Sequence, residues 1–139
     1  MGNNVKHFLE VKKGKETVYV TQIFGDGFVP DEKFYKGLGL DIDMDNPELA
    51  SKRVNLKKLV IEWWKFLKRN LNEKTFINDK RFIYDMDEDA EKLYYHLMYH
   101  NKLKISQFFL VINDLEKYTD NTDVGKLAKD YGLYLSIYS

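Results

Sequence analysis

The polarity pattern of the chain has two periods. Residues 5–12, VKHFLEVK, and 17–24, TVYVTQIF, carry apolar side chains at roughly every second position, the signature of half-buried strands. KGKE between them supplies Gly14 where a tight hairpin calls for positive φ. A loop follows, GDGFVPDEKFYKG, with two glycines ahead of Pro30. LGLDIDMD, residues 38–45, then alternates again and predicts a third strand, completing an antiparallel meander.

At Asn46 the period lengthens to that of a helix. Asn46 fits an N-cap, Pro47 the first helical position and Glu48 the positive end of the dipole, so the spacing predicts a helix to about Leu71. Leu56, Leu59, Val60, Trp63, Phe66, Leu67 and Leu71 share one face of it. Residues 75–85 read as extended, and DMDEDAEKLYYHLMYHNK, residues 85–102, as a second helix with acids at its N-terminal end. ISQFFLVINDL, residues 105–115, has a continuous apolar run from Phe108 to Ile112, as in a strand covered on both sides. TDVGKLAKDYG fits a short helix with Thr122 as N-cap and Gly132 as stop, and LYLSIYS a closing strand. A strand–helix–strand ending of this length predicts a right-handed parallel crossover. The expected fold is therefore α+β: residues 1–139 as one domain, a mixed sheet with an N-terminal antiparallel three-strand meander, a long amphipathic helix and a C-terminal parallel β-α-β unit.

Composition narrows the chemistry. The 139 residues are 44% hydrophobic and 15% aromatic, which places the chain among folded domains rather than disordered tails. Lys+Arg and Asp+Glu both total 22, which disfavours a uniformly basic nucleic-acid binder. The absence of cysteine excludes disulfide scaffolds, thiolate zinc sites and thiol catalysis. No apolar run reaches the length of a membrane span, and MGNNVKHFLEV carries neither a signal-peptide core nor, with Lys6, a myristoylation signal. A cytoplasmic setting is the expectation.

Three sets of residues invite a functional reading. The first is Asp41, Asp43 and Asp45, which project from one face if 38–45 is a strand. Counted as a calcium loop of the EF-hand type from Asp41, the spacing places Asn46 at the sixth position and Lys52 at the twelfth, where a bidentate glutamate is required. Asp41-x-Asp43 after VTQIFGDG is also similar to the nucleotidyltransferase pattern, with Asp26 standing where that pattern has serine. That resemblance implies Mg²⁺ held by Asp41 and Asp43 for attack on a nucleotide phosphate. The expected topology resembles the restriction-endonuclease-like core, though the third strand lacks the lysine such nucleases use. The catalytic alternative is thus a Mg²⁺- or Mn²⁺-dependent phosphotransfer enzyme or nuclease built on Asp41, Asp43 and Asp45. The bland reading is a solvated strand face leading into a helix cap.

The second set is His96 and His100, four apart on the acidic helix and able to supply two ligands of a transition-metal site. The third is electrostatic. Residues 52–69 hold seven cations against Glu62 alone, while 85–91 hold five acids. Lys57, Lys58, Lys65, Lys68 and Arg69 lie opposite the apolar face, with Ile61 among them and Trp64 at the edge. Such a face suits nucleic acid, an acidic protein or an anionic surface. With no complete catalytic motif in the chain, the leading expectation is a non-enzymatic module, an inhibitor, immunity or accessory protein. It needs no cofactor and binds a protein or nucleic acid through Lys57, Lys58, Ile61, Trp64, Lys65, Lys68 and Arg69. Exposed aromatics would also suit self-association into a homo-oligomer.

Overall fold

A computed structural model describes residues 5–70, 86–99, 117, 120 and 122–138. The elements are β1 (Lys6–Lys13), β2 (Glu16–Gln22), α1 (Glu32–Gly37), β3 (Leu49–Arg53), α2 (Leu56–Asn70), α3 (Glu88–Tyr99), α4 (Asp123–Ala128) and β4 (Gly132–Tyr138). The extended segment expected at 75–85, the apolar strand at 105–115 and His100 lie outside the described residues.

The first hairpin forms where the alternation predicts. β1 and β2 pair antiparallel, with a bulge between Val11 and Lys12, and Gly14 turns the chain at φ 63°. The third strand does not form at 38–45. Residues 32–37 fold instead as α1, capped by Asp31, whose Oδ1 accepts from the Phe34 amide at 3.0 Å. Leu40 and Ile42 are buried as the alternation requires, but the segment carrying them joins no sheet. Alternate burial needs only an extended chain lying on a core; a strand also needs a partner for its backbone.

That partner is taken elsewhere. Among the described residues the four strands lie in the order β2-β1-β4-β3, and their three pairings are antiparallel. Both edges of β4 are occupied, by β1 and by β3, so the expected parallel unit has no place beside it. The mixed sheet and the three-strand meander are both corrected by this arrangement, while the α+β class holds. The topological likeness to the nuclease core disappears with them. β3 itself occupies Leu49–Arg53, inside the stretch whose Asn-Pro-Glu start predicts helix. Leu49 pairs with Ile137, Lys52 with Leu135 and Arg53 with Tyr134. Leu133, Leu135 and Ile137 are buried in the core, so their strand is fixed first by apolar burial and its open edge recruits residues 49–53 over their local preference. α2 therefore starts later, at Asn55: its Oδ1 accepts from the Lys58 amide at 3.0 Å and its carbonyl from the Leu59 amide at 2.9 Å.

The apolar face of α2 is as expected, with Leu59, Val60, Trp63, Phe66 and Leu67 all buried. Trp63 meets Phe24 edge-on at 5.6 Å, and Phe24 also contacts Phe28, Phe34, Phe66 and His7. α1 and α3 both pack against α2, so its covered sector is wider than one apolar stripe. Among the described residues no helix is long and apolar enough to cross a membrane.

Candidate functional site

The cationic set of α2 divides in two. At its C-terminal half the charges are absorbed. Arg69 donates from Nε and Nη2 to Asp31 at 3.0 and 2.8 Å, a two-pronged ion pair in which both side chains are about two-thirds or more covered. Asn70 adds a bond to the same carboxylate at 3.3 Å. Burial would raise the Asp31 carboxyl, but the Arg69 guanidinium and the Phe34 amide outweigh it and hold the group below the usual carboxylate range. Lys65 lies 3.7 Å from Glu62, whose carboxylate rests on Gly37 of α1. A Cβ at Gly37 would collide with that carboxylate, so the glycine is what lets the two helices meet. Trp64, expected at the exposed edge, is fully buried and unavailable to a partner. Arg69 and Trp64 are thus parts of the fold.

The N-terminal end is different. Lys52 and Arg53 close β3, Lys57 and Lys58 open α2, and all four are exposed. The first turn of α2 contains no acid, although the positive dipole end favours one. Beside this turn lies a cavity of about 700 Å³, between β3, α2 and α4. Val54, Leu56, Val60, Ile61, Ala128 and Leu133 give it apolar walls. Arg53, Lys57 and Lys129 bring positive charge to it, against Asp120, which pairs with Lys129 at 3.4 Å. Tyr131 also lines it, and Lys13 Nζ sits 5.9 Å from its ring centre. Next to it, Lys12 Nζ lies 4.9 Å over the Tyr134 ring and donates to Ser51 at 3.2 Å. Gly132 makes this crowding possible: a Cβ there would stand 3.1 Å from Tyr134 and 3.6 Å from the Arg53 guanidinium carbon.

Of the residues singled out from sequence, Lys57 and Ile61 share this cavity, with Lys58 in the same exposed first turn of α2. Lys65 and Lys68 are half-buried further along α2. Arg53, Lys129 and Tyr131 were not legible as members, because β3, α4 and the β4 approach meet only through the sheet. The run Lys-Arg-x-x-x-Lys-Lys was the one available signal.

The aspartates do not gather. Asp41, Asp43 and Asp45 lie exposed in a loop, so the carboxylate comb on one strand face is absent. Asp43 Oδ1 accepts from the Asp45 amide at 3.0 Å and its carbonyl accepts from the Asn46 amide at 3.0 Å, a local turn in which Asp43 serves the backbone. Asp26 is engaged by Gln22 at 2.6 Å and by Lys6 at 3.6 Å, and Glu62 lies over Gly37. Among the described residues no three His, Cys, Asp or Glu side chains converge as a metal-holding group. His96 sits half-buried on α3.

The acidic segment is largely architectural as well. Asp87 closes the end of β2, accepting from the Gln22 amide at 2.8 Å while its own amide donates to the Gln22 carbonyl at 3.2 Å. Asp89 accepts from the Tyr19 hydroxyl at 2.8 Å and from the Val124 amide at 3.1 Å, tying β2 and the start of α4 to α3. Burial and the Asp89 bond together push the Tyr19 phenol up. Compared with protein-family models, with curated proteins and with solved structures, the chain finds no match in any of the three.

Proposed function

We propose that this protein is a non-catalytic binding module that engages an acidic protein partner through the exposed cations at the β3–α2 junction. One observation carries the reading: Lys52, Arg53, Lys57 and Lys58 fall within seven residues that contain no acid, all exposed, on two elements that meet beside a cavity. Lys58 stands in a helical turn that holds no acid and where positive charge is locally unfavourable, a placement that the helix dipole does not reward. A protein partner is favoured over nucleic acid by the balance of 22 cations and 22 acids, by the presence of one arginine in the patch, and by the burial of Trp64, which takes that ring out of reach of a base. Association of this kind suits an inhibitor, immunity or accessory factor.

The test is affinity capture from the source cells with wild-type protein and with the Lys52→Glu/Lys58→Glu variant, each with and without nuclease. A partner that wild type retains at low salt, that is lost at high salt and in the variant, and that survives nuclease supports the reading. Equal retention by the variant, or loss on nuclease treatment, refutes it.

A further inference from the structure

We infer that the cavity between β3, the opening turns of α2 and α4 is a binding site for an organic anion with an apolar body. Its head is held by Arg53 and Lys57, and its body lies against Val60, Ile61 and Ala128. The volume, about 700 Å³, falls in the range of small-molecule sites, roughly 300–1,000 Å³. The described lining is mixed, with Val54, Leu56, Val60, Ile61, Ala128 and Leu133 as apolar members and Arg53, Asn55, Lys57, Asp120 and Lys129 as polar ones.

The sign of the ligand follows from charge. Among the described residues three cations line the cavity against one carboxylate, Asp120, which is paired with Lys129. Arg53 makes no ion pair with a carboxylate among the described residues, and its guanidinium lies across Gly132 beside Tyr134. The first turn of the 15-residue α2 opens on the same space, with Asn55, Leu56 and Lys57 all in the lining, so its dipole adds to the positive potential. Arg53 and Lys57 match a carboxylate or a phosphate monoester equally, since a guanidinium and an ammonium serve either. Val60, Ile61 and Ala128 favour an organic anion over a bare inorganic one, because burying an apolar body against them adds to the affinity.

This site borders the surface assigned to the protein partner and shares Arg53 and Lys57 with it, but Lys52 and Lys58 lie outside the cavity lining. The two readings therefore fail separately. Isothermal titration, below micellar concentrations, would use decanoate, decyl phosphate, decanol and decyltrimethylammonium against the full chain. The expected result is saturable one-to-one binding of an anion, with decanol at least about tenfold weaker and the cation unbound. The difference between decanoate and decyl phosphate identifies the head group. Arg53→Gln/Lys57→Gln, both exposed changes, should weaken the anions by about tenfold or more and bring them level with decanol. Ala128→Phe should block all of them, as should Ile61→Phe, each verified as folded by its thermal melt. Lys52→Glu/Lys58→Glu should change the titration by less than it changes partner capture. Absence of saturable anion binding, decanol binding as tightly as decanoate, or undiminished binding to a folded Ala128→Phe protein would each overturn the proposal.

Discussion

The two ends of α2 carry the same kind of residue and use it oppositely. At the C-terminal end Arg69 meets Asp31 in a two-pronged bond, and that aspartate also caps α1, so one cation locks two helices together. At the N-terminal end Lys57 and Lys58 stand exposed against the helix dipole, beside Lys52 and Arg53 and next to a cavity. A basic stripe read on a helical wheel gives no hint of this split. The difference teaches that a charge's role depends on what the neighbouring element offers. α1 presents a carboxylate and a glycine to the far end of α2, whereas β3 presents two further cations to the near end.

The largest test of this contrast removes what holds α2 in place. Trp63→Ala deletes a fully buried ring packed on Phe24 and should cost about 3–5 kcal/mol in denaturant unfolding. A cost near that of a surface substitution would mean that α2 is not anchored as described.

The closed end should also answer to acid. His7 is fully buried, hydrogen bonded to the Tyr35 hydroxyl at 2.7 Å, and burial drives its pKa down to about 3. The folded protein keeps His7 neutral where the unfolded chain, with an ordinary histidine, takes up a proton. Stability is therefore fully present above about pH 6.5 and falls as pH drops from there toward 3, by up to about 1.4 kcal/mol per pH unit from this group. His7→Phe should flatten the profile between about pH 6.5 and 4.5, where few carboxylates titrate. An unchanged profile in that window would show that His7 is protonated in the fold.

Smaller effects separate the two ends directly. Arg69→Ala should destabilise by about 1–2 kcal/mol, with Arg69→Lys recovering only part, since an ammonium cannot reproduce the fork. Lys58→Gln, at an exposed position, should leave unfolding within about 0.5 kcal/mol of wild type. Equal costs at the two positions would erase the contrast. Finest of all, Lys58→Glu should raise stability by about 0.3–1 kcal/mol at low salt through the helix dipole, while weakening partner capture. A stability loss there would mean that Lys58 serves the fold after all.

Much of the architecture was legible from local patterns. The β1–β2 hairpin, the buried face of α2 at Leu59, Val60, Trp63, Phe66 and Leu67, the helix at 88–99, the Thr122 cap and the closing strand all follow from periodicity and capping chemistry. Thr122 accepts from the Gly125 amide at 3.1 Å, as its place before the helix implies. The errors share one source. Leu40-Asp41-Ile42 alternates like a strand because its apolar members are buried, yet strand identity depends on a backbone neighbour that no local pattern encodes. Asn46-Pro47-Glu48 resembles a helix start, yet the edge of β4 claimed the residues that followed it. The candidate site fared the same way. Lys57 and Ile61 were readable on α2, but the cavity they share with Arg53, Lys129 and Tyr131 joins residues more than sixty positions apart.

What the sequence determined by itself is thus the class, α+β, the burial pattern of the elements it foresaw and the Thr122 cap that begins α4, because these depend on interactions within a few residues. Only the tertiary structure decided which strands pair, that Trp64 is core, that Arg69 is bound to Asp31, and that Asp43 serves a local turn with Asp45 in a loop rather than standing on a strand. Those outcomes rest on hydrogen-bonding edges, helix approach and cavity walls supplied from distant parts of the chain. Burial pattern fixes which side of a segment faces inward; it is the competition for partners that fixes what the segment becomes.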